Sequence, residues 1–139
     1  MSYEEKGAWV YLGVVLSSFA AYLAVVVPRL DGTSVADVSY SSALVRTIII
    51  SIVASVVVRT LVETVRPSER HRGDARDKDI NRFGEYVGGI VLAVAMLAPF
   101  ILALEEADHF WIANAMYAAY VLSSLVGTSL KLVAYRRGI

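Results

Sequence analysis

The chain has no cysteine. That absence excludes disulfides, iron–sulfur clusters, thiol catalysis and every zinc site built on thiolates. Histidine is scarce: His71 and His109 fall in different charged gaps, on opposite sides of a membrane if four spans cross it, so they do not share a metal or haem. No nucleophile stands with a base, no two carboxylates share an apolar stretch, and no glycine-rich loop is set to cradle phosphate. These absences predict a non-enzymatic protein without cofactor, and no direct nucleic-acid binding is expected. Net charge is also lacking, with 13 basic residues balancing 13 acidic ones, so charge is informative only once divided by position.

What the chain does have is long apolar runs. Hydrophobic residues make up 57% of it and its mean hydropathy is +0.58. Three uncharged runs, Gly7 to Val27, Tyr86 to Leu104 and Phe110 to Leu130, match the ~20 residues with which a helix crosses ~30 Å of hydrocarbon. The fourth candidate, Ser41 to Val65, is interrupted by Arg46, Arg59 and Glu63. A return across the membrane is needed between the first and third spans, so it too reads as a crossing helix. Its β-branched residues do not make it a strand, because an open sheet edge cannot sit in lipid. The expectation is one all-α integral membrane four-helix bundle, with spans at about 7–27, 41–65, 83–104 and 109–132 and a charged loop over 66–82. The first apolar run, 21 residues long, exceeds the core of a secretory signal and is read as retained, ending at Pro28.

Lys and Arg placement sets the expected orientation. Arg66, Arg70, Arg72, Arg76, Lys78 and Arg82 lie between spans two and three, and Arg136 and Arg137 follow span four. Those segments belong in the cytoplasm, which puts both termini inside a cell membrane. Of the six charges Arg29, Asp31, Asp37, Glu105, Glu106 and Asp108 left for the outer loops, five are acidic.

Small residues at four-residue spacing mark packing faces: Gly13, Ser17 and Ala21 in span one; Gly84 and Gly88, with Gly89 and Ala93, in span three; Ala115, Ala119, Ser123 and Gly127 in span four. Such faces let helix backbones approach, either within one chain or between copies in a homo-oligomer. Pro99 is expected to kink span three, and Asn114 to bridge helices.

In span two the same spacing selects polar residues, Thr47, Ser51, Ser55, Arg59 and Glu63. They form either a polar path for an ion or small cation, or an internally paired stripe. In the second case Arg59 and Glu63 pair with each other or with Glu85 on span three, and the hydroxyls bond their own backbone.

The 66–82 loop carries a second candidate. Pro67 and Gly73 break the chain, Asp74 reads as an N-cap with Asp77 in the first turn, and a helix then runs from there into span three. Arg70, Arg72, Asp74, Arg76, Asp77 and Lys78 are the candidate contacts for a cytoplasmic protein partner, or for the anionic surface of the lipid bilayer. The stretch Asp74-Ala75-Arg76-Asp77-Lys78-Asp79-Ile80 resembles the D-E-R-D-x-x-I signature of small, functionally uncharacterised prokaryotic four-span membrane proteins, with Ala75 where that pattern has Glu. The resemblance implies two helical hairpins and a protein partner at Asp74 to Arg82. The leading expectation is thus a small interaction, regulatory or anchoring protein acting through the loop. The alternative is an oligomeric small-solute or ion transporter or channel using the stripe of span two.

Overall fold

The computed structural model of the chain describes residues 1–68 and 74–138. Four helices are long and apolar enough to cross a membrane, Tyr3–Leu30, Ser41–Val65, Ala75–Leu104 and His109–Arg137, and no strand occurs among the described residues. The protein is an all-α, multi-pass membrane protein.

α1 (Tyr3–Val26) starts four residues before the apolar run because Ser2 caps it: the Ser2 hydroxyl accepts the Glu5 N–H at 3.1 Å, and Glu4 and Glu5 sit in the positive first turn. At the other end a 3₁₀ turn, Val27–Leu30, takes over with Pro28 near its start, where the missing N–H costs nothing. α2 (Ser41–Val65) has the bounds read from the sequence, and none of its residues is buried. α3 (Ala75–Ala95) opens on a complete capping box: the Asp77 N–H donates to Asp74 Oδ1 at 2.9 Å, and the Asp74 N–H donates to Asp77 Oδ2 at 3.3 Å.

Met96 separates α3 from α4 (Leu97–Leu104), three residues before Pro99. Proline has no N–H for the carbonyl four residues back and its ring crowds that carbonyl, so the long third span breaks there. α4 ends in a Schellman turn, in which the Ala107 N–H reaches Leu102 O at 3.0 Å and the Glu106 N–H reaches Ala103 O at 3.2 Å. The left-handed position of that turn is held by Glu106, with φ of 54°. α5 (His109–Arg137) is the longest helix and ends on left-handed Gly138.

α1 and α5 are the central pair. α2 packs on α1, while α3 and α4 pack on α5, leaving α2 and α3 without extensive contact. The seam between α3 and α5 is made by backbone: a Cβ on Gly88 would stand 3.3 Å from Ser123 O, and the Ser123 hydroxyl donates to Gly88 O at 2.7 Å. The small faces of spans three and four are therefore used inside one chain. A Cβ at Gly13 or Gly89 would meet nothing within 4 Å, so those two positions lie outside the seam.

Side-chain packing is concentrated at the end opposite the termini. Tyr22, Val26, Val38 and Phe110 are buried together, with Tyr40 and Tyr117 against them. The rings meet edge to face, Tyr22 with Tyr117 at 5.3 Å and Tyr40 with Phe110 at 5.1 Å between centroids. Asn114 bridges helices here: its Oδ1 accepts the Tyr22 hydroxyl at 2.5 Å, and its Nδ2 donates to Phe110 O at 2.8 Å.

Candidate functional site

The end that carries the termini is built differently. A cleft of about 420 Å³ opens there between α1 and α3, with α5 as its back wall and Arg59 of α2 reaching in. Its walls are unusually polar for membrane-spanning helices: Glu4 and Tyr11 from α1, Asn81 and Glu85 from α3, Ser123, Ser124, Thr128 and Lys131 from α5. Gly7, Gly84, Gly88 and Gly127 also line it, and the first two make room for cations. A Cβ on Gly7 would stand 2.8 Å from Arg59 Cζ, and one on Gly84 would collide with the aliphatic stem of Lys131.

Two ion pairs cross the cleft between helices. Arg59 Nη2 lies 3.5 Å from Glu4 Oε1, and Lys131 Nζ lies 3.5 Å from Glu85 Oε1. Glu4 also accepts from Asn81 Nδ2 at 3.4 Å, tying α1 to both α2 and α3. The guanidinium of Arg59 stacks over the Tyr3 ring with Cζ 4.1 Å from its centroid, a favourable placement for a delocalised cation. Yet Arg59 Nε is buried and meets no acceptor among the described residues, and buried donors are rarely left unmatched. On the other pair the exposure is lopsided: the Lys131 side chain is 18% exposed and the Glu85 side chain 75%. The cleft therefore presents the partly exposed Arg59–Glu4 pair and, beside Lys131, the widely exposed carboxylate of Glu85.

A second cavity of about 370 Å³ lies deeper, among α1, α2 and α5, lined by Ser18, Ser51, Tyr117 and Tyr120 among others. Tyr11 and Ser124 line both cavities, and their hydroxyls are hydrogen bonded at 3.0 Å. Beyond the second cavity stands the aromatic core, which Tyr117 joins by packing on Tyr22. The molecule is thus polar and open at the terminal end, while aromatic packing joins α1 to α5 at the other.

The residues expected to act together in span two are dispersed. Thr47 Oγ1 donates to Ala43 O at 2.8 Å, Ser51 Oγ to Ile48 O at 2.8 Å and Ser55 Oγ to Ser51 O at 2.8 Å, so the hydroxyls serve their own helix. Arg59 and Glu63 are not each other's partners here, and neither pairs with Glu85. Glu63 lies 3.7 Å from Lys6 Nζ and accepts both the N–H and the hydroxyl of Ser68 at 2.7 Å, closing the end of α2. Lys6 also donates to Arg66 O. The physical reason is reach: α1 is the neighbour of α2, and its first two turns supply Glu4 and Lys6 at the level of Arg59 and Glu63. Of the expected set, Arg59 and Glu85 are brought to one cleft, and Ser51 to the cavity beyond it.

The loop candidates divide similarly. Asp74 and Asp77 form the capping box, and Asp77 is buried and accepts the Ser2 hydroxyl at 3.2 Å. Arg76 Nη2 donates to Tyr135 O at 3.3 Å, and Lys78 is exposed. Arg70 and Arg72 lie outside the described residues.

Glu4, Asn81, Ser124 and Lys131 were not singled out from the sequence, and Tyr11 stood out only as an aromatic residue of the inner interface. One signal was present for Lys131: the four-residue series of span four, Ala119, Ser123 and Gly127, continues onto it. Among the described residues no three His, Asp or Glu side chains are grouped to hold a metal ion. No family model, no curated protein and no solved structure matches this chain.

Proposed function

We propose that the protein is a non-enzymatic carrier of the cell membrane that takes a small zwitterionic solute into the cleft between α1, α3 and α5. The observation that carries this reading is that two interhelical ion pairs, Arg59 with Glu4 and Lys131 with Glu85, line one open cleft between membrane-spanning helices, with the Arg59 side chain 36% exposed and that of Glu85 75% exposed. A solute's anionic group pairs with the exposed part of the Arg59 guanidinium, and a cationic group on the same solute with Glu85. Ionisable groups within membrane-spanning helices mark solute and ion sites by default. Opening at one end and closure by aromatic packing at the other is the form of a carrier in one of its access states.

The excess of Lys and Arg flanking the open end supports a cytoplasmic placement of that end, with both termini. A homo-oligomer fits this reading, because the cleft has an open flank and a Cβ on Gly13 would meet nothing within 4 Å. Docking of a cytoplasmic protein through 66–82 has less support, since Asp74 and Asp77 already serve as the cap of α3.

The test uses the natural absence of cysteine. A single cysteine at Ser124, half-buried in the cleft wall, should react with a membrane-impermeant maleimide when the terminal side faces the reagent, and zwitterionic amino acids should slow that reaction. Arg59→Met should abolish the protection while leaving labelling intact. Protection that survives Arg59→Met, or no labelling from either side, would refute the carrier reading.

A further inference from the structure

We infer that a second groove, on a different face of the α3–α5 pair, is a binding site for an anionic phospholipid. The groove measures about 520 Å³ and shares no lining residue with the solute cleft. Buried Ile80 and Ala134 lie at its floor, and Phe83, Leu130 and Val133 make its apolar walls. Phe83 and Val133 are 50% and 44% exposed. The groove lies where the charged first turns of α3 meet the last turns of α5, at the edge of both apolar spans, so the part of an acyl chain nearest its headgroup is the apolar body available to fill it.

The choice of headgroup comes from the rim. Arg76 and Arg137 stand at the terminal end of the groove against one acid, Asp79, a balance of one net positive charge. Arg76 is steadied by its bond to Tyr135 O at 3.3 Å, which holds the first turn of α3 against the last turns of α5. Arg137 closes α5 next to the left-handed Gly138. Two planar guanidiniums at the membrane–water boundary above an apolar slot fit a phosphodiester and its chain. A protein helix could take the same slot only by displacing lipid from it, and below the rim the lining, Ile80, Phe83, Leu130, Val133 and Ala134, offers no side-chain polar group.

The experiment places a photoreactive benzoylphenylalanine at Phe83 in the full-length protein, reconstituted in vesicles of equal phosphatidylglycerol and phosphatidylcholine. After irradiation the intact protein is weighed. The expected result is a phospholipid adduct favouring phosphatidylglycerol by roughly fivefold, the ratio that one net basic charge near the headgroup provides. Arg76→Gln with Arg137→Gln should bring the two lipids to parity. If that double variant does not insert, Arg137→Gln alone, on the exposed last turn, makes the same comparison with a smaller drop. Equal adducts in the unaltered rim, a preference unchanged by the substitutions, or an adduct to a second copy of the chain would each overturn the assignment.

Discussion

A Cβ on Gly84 would stand 2.8 Å from the carbonyl oxygen of Gly127, and a Cβ on Gly127 would stand 2.8 Å from the carbonyl oxygen of Gly84. Lipid offers no hydrophobic drive to press helices together, so such backbone contact is what holds α3 to α5. Gly127→Leu should therefore lower stability by about 1–3 kcal/mol, the cost of overpacking a tight contact. Gly89→Ala, where a Cβ meets open space, should be neutral or gain up to about 1 kcal/mol from helix propensity. Thermal unfolding in detergent micelles measures both, and equal melting temperatures for the two variants would show that the seam is not set by backbone contact.

At the opposite end, Tyr22 joins α1 to α5 through Asn114 and through the edge-to-face contact with Tyr117. Tyr22→Phe should cost about 1 kcal/mol for the hydrogen bond. Tyr22→Ala should cost about 3 kcal/mol or more through the cavity it leaves. Chemical denaturation in micelles separates the two contributions. A larger loss for phenylalanine than for alanine would contradict the packing described.

Tyr11 and Ser124 line both cavities, and their hydroxyls are hydrogen bonded where the two adjoin. Tyr11→Phe should let water reach further. In a single-cysteine variant at Ser51, labelling by an impermeant maleimide should quicken several-fold, the change expected when a barrier of about 1 kcal/mol is removed. An unchanged rate would place the barrier elsewhere.

Glu106 occupies a left-handed position, φ 54°, where a side chain is strained and glycine is not. Glu106→Gly should raise stability by about 1 kcal/mol, read as a higher melting temperature. A lower one would mean that the carboxylate makes a contact that outweighs the strain.

The four helices were legible in the sequence because crossing hydrocarbon demands unbroken apolar length, a one-dimensional property. The ends were less so: α1 begins at Tyr3 and α5 runs to Arg137, since charged turns at the interface stay helical when capped or wetted. The start of α3 was legible for the same local reason, its cap being set by Asp74 and Asp77.

The site followed a different logic. Spacing along α2 places Thr47, Ser51, Ser55, Arg59 and Glu63 on one spiralling stripe, but it cannot say which neighbour meets each turn. Tertiary structure set α1 beside α2, so that Glu4 and Lys6, residues outside the apolar run, became the partners of Arg59 and Glu63. It also set Lys131 across from Glu85, and assembled the cleft from four helices, none of which carries a complete polar face.

The sequence by itself determined that this chain is helical, enters the membrane four times and keeps its basic residues near the ends of its helices, because hydrophobic length, proline chemistry and capping act on neighbours in the chain. Which charges meet, where the backbones touch and where a polar cleft remains open were decided by tertiary packing. In lipid, helices associate by shape and by the few polar bonds they can share, and both depend on which faces come together.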